Sequence, residues 1–220
     1  MAILIDSADL KQIDEAFGLG FVKGVTTNPL LMAKTESEWR KRLGAVLERT
    51  KGPVYYQLDD PCEKHWEGTV RSIYGTSPER MVVKIPAKSE LFSLCAKVAS
   101  DVNVCMTAVY SEAQMIAAEE AGAQCVAVYV NRVTRFRREG RGNFSCDGPG
   151  LVSRMRELID RHGMKLKILA ASLKSPEEVV AAMVAGAHDI TTTLDVLKGL
   201  AQNDLSDEAT REFEKVLPVE

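Results

Sequence analysis

Segments of strand character alternate with segments of helix character eight times along this 220-residue chain. The strand segments are short, apolar and rich in β-branched residues, and several helical segments begin with a capping residue or end at a glycine. Alternation at this spacing predicts a parallel sheet joined by right-handed crossovers. Because there are eight units, we expect the sheet to close, which gives a (β/α)8 TIM barrel in a single domain over residues 1–220.

The pattern predicts approximate limits for each element. The expected strands are Ala2–Asp6, Lys23–Thr26, Val54–Leu58, Met81–Ile85, Val102–Met106, Cys125–Tyr129, Lys167–Ala171 and Asp189–Thr192. The expected helices are Asp9–Phe17, Glu36–Arg49, Glu63–Tyr74, Ser89–Ser100, Ser111–Ala121, Gly150–His162, Pro176–Ala185 and Leu194–Leu200, with an additional C-terminal helix at Asp207–Val216. An open doubly wound sheet is the alternative fold, but no Gly-x-Gly-x-x-Gly motif follows any of the predicted strands.

Composition and charge argue against several classes of protein. Hydrophobic residues make up 45% of the chain and charged residues 27%, as in globular proteins with an ample core. The formal net charge of −3 gives no general attraction for nucleic acid, and no apolar run approaches the roughly 20 residues of a membrane span. The five cysteines include no Cys-x-x-Cys pair and the amino terminus does not resemble a signal peptide. We therefore expect a cytoplasmic protein without disulfides or zinc.

Lys84 lies inside the apolar segment Met81–Pro86, which predicts a buried strand that ends at a proline. A buried ammonium without a partner costs on the order of several kcal/mol, so such a lysine usually lowers its pKa and loses the proton. A neutral amine in a closed site is what Schiff-base chemistry on a carbonyl requires. The alternative is that Lys84 lies at the strand tip and reaches solvent or pairs with a carboxylate.

Polar side chains stand at the end of nearly every predicted strand. They are Asp6, Thr26, Thr27, Asn28, Gln57, Lys84, Thr107, Tyr129, Ser172 and Thr191. In a barrel enzyme the catalytic groups lie at the carboxyl ends of the strands, so these side chains should converge on one face. Each of them alone has a structural explanation, such as capping the next helix. Their convergence around one lysine predicts an active site.

The segments that carry these residues resemble the fructose-6-phosphate aldolases of the small transaldolase group. The matching segments are Leu4–Asp6, Gly24–Pro29, Val82–Pro86, Thr107–Tyr110, Tyr129–Arg132 and Leu169–Lys174, and the resemblance extends over essentially the whole chain. It implies a class I aldolase or transferase on a (β/α)8 barrel. In such an enzyme Lys84 would form the Schiff base, with neither a metal nor another cofactor.

The resemblance also implies the reaction and the residues that hold the substrate. The reaction would be reversible cleavage of fructose 6-phosphate, or a similar ketose, to dihydroxyacetone and an aldehyde such as glyceraldehyde 3-phosphate. Asp6 would handle protons at the C4 hydroxyl, while Thr26, Asn28 and Ser172 would hold the dihydroxyacetone unit.

A second group of matching residues would bind the phosphate of the aldehyde, namely Arg132 with Ser172 and Lys174. The partner implied by the resemblance is therefore a sugar or sugar phosphate, not nucleic acid or a membrane. The resemblance further implies a homo-oligomer, a decamer in which the C-terminal helix reaches a neighbouring subunit.

Two positions distinguish aldolases from transaldolases within this group. Transaldolases resemble one another in carrying a glutamate at the end of the third strand and a phenylalanine where this chain has Tyr129. Here the first position is Gln57, which favours the aldolase. A water held by Gln57, Thr107 and Tyr129 can take and return protons during carbinolamine formation and protonation of the enamine. Transaldolase activity remains the alternative. A purely structural role is also open for both residues, with Gln57 as a satisfied polar strand end and Tyr129 as an amphipathic lid on the barrel.

The segment Val133–Gly148, after the sixth strand, is longer and more basic than the corresponding family loop. One interpretation is an anion-attracting lid with glycine hinges, and the other is a solvated loop or subunit contact. Nucleic-acid binding through its arginines is a further possibility, but one basic loop on an acidic protein gives weak electrostatics. A sugar-phosphate-binding barrel without catalysis is disfavoured by the full set of polar strand ends.

Overall fold

A computed structural model of the protein describes residues 1–35, 38–59 and 62–215. Across these ranges the strands are β1 (Ile3–Asp6), β2 (Gly24–Thr26), β3 (Val54–Gln57), β4 (Met81–Pro86), β5 (Val104–Val109), β6 (Cys125–Tyr129), β7 (Lys167–Leu173) and β8 (Asp189–Thr192). Neighbouring strands are parallel and follow chain order, and β8 pairs with β1. The sheet is therefore a closed barrel, which confirms the expected (β/α)8 fold.

Helices connect successive strands on the outside of the barrel. They are α1 (Leu10–Gly18), α2 (Pro29–Met32), α3 (Trp39–Arg49), α4 (Trp66–Tyr74), α5 (Leu91–Val98), α6 (Glu112–Glu120), α7 (Val130–Arg138), α8 (Gly148–His162), α9 (Pro176–Val184), α10 (Leu194–Leu200) and α11 (Asp204–Glu214). The predicted helices are confirmed to within a few residues at their ends, and α11 is the additional C-terminal helix. Parts of two predictions, Glu36 and Ser37 at one helix start and Val216 at the last helix end, lie outside the described residues.

The side chains that point into the barrel form two layers along its axis, an apolar layer and, nearer the carboxyl ends of the strands, a polar layer. The interior apolar cluster contains Leu4, Tyr55, Cys105, Cys125, Ala127 and Leu169. Because side chains on one face of a strand recur every second residue, Asp6, Gln57 and Thr107 lie one step closer to the carboxyl ends. Lys84 stands in register with Gln57 and Cys105 on either side. The strands thus place polar groups above a closed apolar floor.

The segment Val133–Gly148 is not the continuous loop that the sequence predicted, because its first part continues helix α7 to Arg138. Val130 and Val133 are buried against the barrel, and Phe136 stacks on Tyr110. Apolar residues spaced three apart are enough to anchor a short helix, even when the intervening residues are polar. The arginines near its end also interact favourably with the carboxyl end of the helix dipole.

Helix α8 begins against the first turn of α7, in a contact too close for any side chain at Gly148. The Gly148 amide donates to the Thr134 hydroxyl at 2.9 Å, and Asp147 caps the helix by accepting from the Gly150 amide. This packing fixes the path of α7, which follows directly on strand β6.

No helix within the described ranges is long and apolar enough to cross a membrane. Cys95, Cys105, Cys125 and Cys146 are free thiols.

We predict that Gly148→Ala destabilises the protein, although alanine normally favours a helix. The added Cβ would lie 2.1 Å from the Val130 carbonyl oxygen and 2.6 Å from its carbonyl carbon, and these backbone atoms cannot move aside as a flexible side chain could. The expected loss is about 1–3 kcal/mol of unfolding free energy, measured by chemical denaturation. The matched control is Gly44→Ala in α3, where the Cβ meets no atom within 4 Å among the described residues and should gain about 0.5–1 kcal/mol. Equal gains for both variants would contradict the α7–α8 contact.

Candidate active site

The carboxyl ends of the strands surround a small cavity of about 90 Å³. Its lining consists of Asp6, Asn28, Lys84, Ala127, Tyr129, Arg132, Leu169, Ala171, Ser172, Lys174 and Thr191. Seven of the ten site residues expected from the sequence are in this lining. The structure also describes the other three, Thr26, Gln57 and Thr107, but they do not line this cavity. A wider depression of about 870 Å³ lies beside it and shares Asp6.

Lys84 is the one lysine of this cavity that is buried, with 5% of the residue exposed. Its Nζ donates to the Thr27 carbonyl oxygen at 2.8 Å. Burial lowers the pKa of the Lys84 amine from its ordinary value, and the Asp6 carboxylate partly opposes this effect. A lowered pKa raises the fraction of neutral amine, which is the nucleophilic form.

Asp6 lines the cavity and accepts a hydrogen bond from the first of two linked threonine hydroxyls. The Thr26 hydroxyl donates to Asp6 Oδ1 at 2.8 Å, and Thr26 Oγ1 lies 2.6 Å from Thr191 Oγ1. Thr26 is fully buried, whereas Thr191 reaches the cavity wall. Thr191 stood among the polar strand ends in the sequence, but no pattern there assigned it a role.

Two strands become irregular where they reach the site. The register of β5 shifts between Thr107 and Val109, and that of β7 shifts between Ala170 and Leu173. The residues at these shifts, Ala108 and Ser172, have φ angles of 58° and 62°. Left-handed backbone is unfavourable for residues other than glycine, and such strain is concentrated at functional sites. The shifts extend both strands beyond their predicted ends.

Thr107 presents a polar group that the fold leaves unsatisfied. Its hydroxyl is buried and has no hydrogen-bond partner among the residues that the structure describes. A buried polar atom of this kind normally binds water or a ligand. Gln57, on β3, is half-buried and aligned with Lys84 across the β3–β4 pair.

Arg132 and Tyr129 form one wall of the cavity, at the junction of β6 and α7. The Arg132 guanidinium lies 4.4 Å from the centre of the Tyr129 ring, within range of a cation–π contact. Arg132 Nη1 also donates to the Tyr110 hydroxyl at 3.3 Å, and the Tyr110 ring meets Tyr129 edge-on at 5.7 Å. Tyr110 therefore holds both residues of this wall, a role that its position at the end of β5 did not predict.

Ser172 and Lys174, at the end of β7 and just after it, continue this wall of the cavity. Glu178 accepts from the Lys174 amide at 2.8 Å and from Asn131 Nδ2 at 2.6 Å, which ties this segment to α7. Arg132, Ser172 and Lys174 thereby converge with cationic or hydroxyl groups suited to an anion. Glu178 lies three residues after Ser175, which caps helix α9, and the sequence pattern assigned it no role in the site.

The other arginines of the basic segment do not line the cavity in the part of the chain that the structure describes. Arg135 and Arg141 each pair with Glu139, and each lies over the Phe136 ring. Of the basic residues in α7 and the following turn, Arg132 alone is in the lining that the described residues form. The arrangement favours a solvated basic surface over a lid.

No group of three or more histidine, cysteine, aspartate or glutamate side chains is placed to hold a metal ion in the part of the chain that the structure describes.

We predict that Lys84 reacts as a neutral amine at a pH below the ordinary lysine value of 10.5. Reductive methylation with formaldehyde over a pH series, followed by peptide mass spectrometry, should give a midpoint for Lys84 below that value. Asp6→Asn should lower the midpoint further, because it removes a carboxylate that favours the charged form. Asp9→Asn is the control and should leave the midpoint in place. A midpoint raised by Asp6→Asn would contradict this view of the site.

Over nearly its whole length the chain is similar to proteins of one enzyme family. The family model described as Transaldolase/Fructose-6-phosphate aldolase matches residues 3–219. A probable transaldolase of Symbiobacterium thermophilum is 32% identical over 98% of this chain and 96% of its own length. Probable transaldolases of Halalkalibacterium halodurans and Thermus thermophilus are each 30% identical, over 98% and 99% of this chain and 98% and 100% of their own lengths.

Similarity to solved structures concerns the fold alone. A mutant of flavocytochrome b2 with benzoylformate superposes with a TM-score of 0.61 at 12% identity, over 90% of this chain. A mutant of mandelate oxidase with an FMN adduct superposes with a TM-score of 0.61 at 14% identity, over 90% of this chain and 67% of its own. This chain spans 57% of the flavocytochrome chain. The sequence relatives, and not these structures, identify the chain as a member of the transaldolase/fructose-6-phosphate aldolase family.

Proposed function

We propose that this protein is a class I aldolase that reversibly cleaves fructose 6-phosphate, or a similar ketose, to dihydroxyacetone and an aldehyde such as glyceraldehyde 3-phosphate. The observation that carries the proposal is the buried amine of Lys84, whose pKa is lowered by burial and which faces a small polar cavity. Nucleophilic catalysis by lysine on a carbonyl requires this combination of a neutral amine and a closed site.

In the proposed reaction the Lys84 amine attacks the C2 carbonyl of the ketose, and loss of water gives a protonated Schiff base. Asp6 then takes the proton of the C4 hydroxyl, the C3–C4 bond breaks, and its electrons move into the Schiff base to form an enamine. The aldehyde leaves at this stage. Protonation of the enamine carbon and hydrolysis release dihydroxyacetone and free Lys84.

Proton transfers at the nitrogen and at the enamine carbon would use a water held by Gln57, Thr107 and Tyr129. The unpartnered hydroxyl of buried Thr107 supports such a water, since a polar atom in that position needs a partner. The alignment of Gln57 with Lys84 supports it as well. Among these three residues, Tyr129 alone is in the described lining of the cavity and would face the enamine carbon.

The substrate would be held at its two ends by different parts of the barrel. Asn28 and Ser172 would contact the dihydroxyacetone unit, next to Lys84. Arg132 and Lys174, on the wall tied together by Glu178, would bind the phosphate of the aldehyde through charge-assisted hydrogen bonds. Thr26 would act from behind Asp6, since its hydroxyl is already engaged there.

Transaldolase activity is the second candidate, because the curated relatives are named probable transaldolases. The two reactions share the enamine and differ in its fate. An aldolase protonates the enamine and releases dihydroxyacetone, whereas a transaldolase passes the unit to an acceptor aldehyde. Gln57 and Tyr129 favour protonation and hence the aldolase.

We also propose that the protein is a homo-oligomer, a decamer by family resemblance. Helix α11 leaves Leu205 and Phe213 with 74% and 64% of their surfaces exposed. Large apolar side chains on an outlying helix are suited to contact with another subunit.

Borohydride trapping tests the nucleophile. Incubation with dihydroxyacetone and borohydride should add mass irreversibly at Lys84, and Lys84→Met should abolish both labelling and turnover. Lys88→Met is the matched control, because Lys88 is exposed and lies two residues beyond the same strand. Labelling at Lys88, Lys97 or Lys174 would contradict the assignment, and absence of labelling in the wild type would indicate a barrel that binds without catalysis.

A second prediction separates release from transfer. Tyr129→Phe should slow release of free dihydroxyacetone by about 10²–10⁴-fold, because an acid–base group is lost, while Lys84 labelling stays intact. The enamine would live longer, so the ratio of transfer to an added aldose phosphate over free release should rise. Tyr74→Phe, on α4 and away from the cavity, is the control. A wild type that transfers efficiently but releases no dihydroxyacetone from the donor alone would establish the transaldolase instead.

A further inference from the structure

Asp6, on β1, is linked by hydrogen bonds to two threonine hydroxyls that come from the two strands flanking β1. Thr26 Oγ1 on β2 lies 2.8 Å from Asp6 Oδ1 on β1, and 2.6 Å from Thr191 Oγ1 on β8. The strand register sets this order, since Asp6 aligns with Thr26 and Leu4 aligns with Thr191. Thr26 and Thr191 are both buried.

The direction of these hydrogen bonds follows from counting donors. An ionised carboxylate only accepts, and a threonine hydroxyl has a single hydrogen to donate. The hydrogen of Thr26 therefore goes to Asp6. Since Thr26 has no second hydrogen, Thr191 must be the donor in the hydrogen bond between the two threonines.

This direction separates the tasks of the two threonines. The Thr26 hydroxyl has no hydrogen left for a substrate, and Thr26 is not among the described residues in the cavity lining. Thr191 supplies the hydrogen that orients Thr26, and each bond in such a chain polarises the next.

We propose that Thr191 is a positioning residue that acts through Thr26 to hold the Asp6 carboxylate in the orientation needed to take the proton from the C4 hydroxyl. The proposal rests on the proposed function, in which Asp6 is the base for carbon–carbon cleavage. Without the Thr191 hydroxyl, Thr26 can rotate away from Asp6. Cleavage should suffer, whereas Schiff-base formation with dihydroxyacetone should not, because that molecule has no C4 hydroxyl.

The test compares Thr191→Val with Thr192→Val. Thr192 is the next residue and is equally buried, but its hydroxyl donates to the Leu173 carbonyl oxygen at 3.1 Å and does not contact Asp6 or Thr26. Loss of one buried hydrogen bond should lower the kcat for ketose cleavage roughly 3- to 10-fold in Thr191→Val. Labelling of Lys84 by dihydroxyacetone and borohydride should stay at the wild-type rate. Thr191→Ser should restore cleavage, and Thr192→Val should leave both rates unchanged.

A double-variant cycle with Asp6→Asn separates failure of this proposal from failure of the proposed function. If Asp6→Asn cleaves as well as the wild type, the proposed role of Asp6 is wrong. If Asp6→Asn loses cleavage while Thr191→Val does not, only the role of Thr191 is wrong. In the Asp6→Asn background, Thr191→Val should have no further effect, and additive losses would overturn the proposal.

Labelling of Lys84 also serves as the control for correct folding of each variant. If Thr191→Val loses the label, Thr191→Ala repeats the test with a smaller side chain. Loss of the label in both variants would mean that Thr191 supports the barrel instead of Asp6, and would overturn the proposal.

Discussion

Pairing of β8 with β1 is the constraint on which the site depends. That pairing turns a row of strands into a ring, and only in a ring do the polar ends of all the strands face one small volume. Thr26 and Thr191 contact each other across 165 residues of sequence because their strands flank β1. An open sheet with the same strands would leave β1 and β8 at opposite edges, and Asp6 would lose part of its support.

The ring also explains how one lysine can be buried inside a stable core. Below Lys84 the interior is apolar, and above it the strands end in groups that can donate or accept hydrogen bonds. The Lys84 amine satisfies one hydrogen bond on the Thr27 carbonyl oxygen and faces the carboxylate of Asp6 across the cavity. A neutral amine costs far less to bury than an ammonium, so the environment that lowers its pKa also makes its burial tolerable.

The wall proposed to bind phosphate is built from contacts between helices as much as from strand ends. Tyr110 holds Arg132 against Tyr129, and Glu178 joins α7 to the segment that carries Lys174. The shifts in β5 and β7 place strained residues beside this wall, as expected where backbone geometry serves a site. The remaining arginines of α7 and the turn after it are exposed, and two of them, Arg135 and Arg141, ion-pair with Glu139. They contribute charge near the site without lining the cavity.

The eight alternating units, the closed barrel and the polar ends of the strands could be predicted from the sequence, because strand and helix periodicity are properties of short segments. Burial of Lys84 was one of two alternatives that its apolar segment left open, and the structure shows that the lysine is buried. The tertiary structure decided that α7 is a helix, that Thr26 lies behind Asp6 while Thr191 reaches the cavity, and that Glu178 links two elements. These features depend on register, on bulges and on packing between distant segments. The contacts of Thr26 with Thr191 and of Asn131 with Glu178 join segments 165 and 47 residues apart, and the pattern within one short segment does not specify which distant group it will meet.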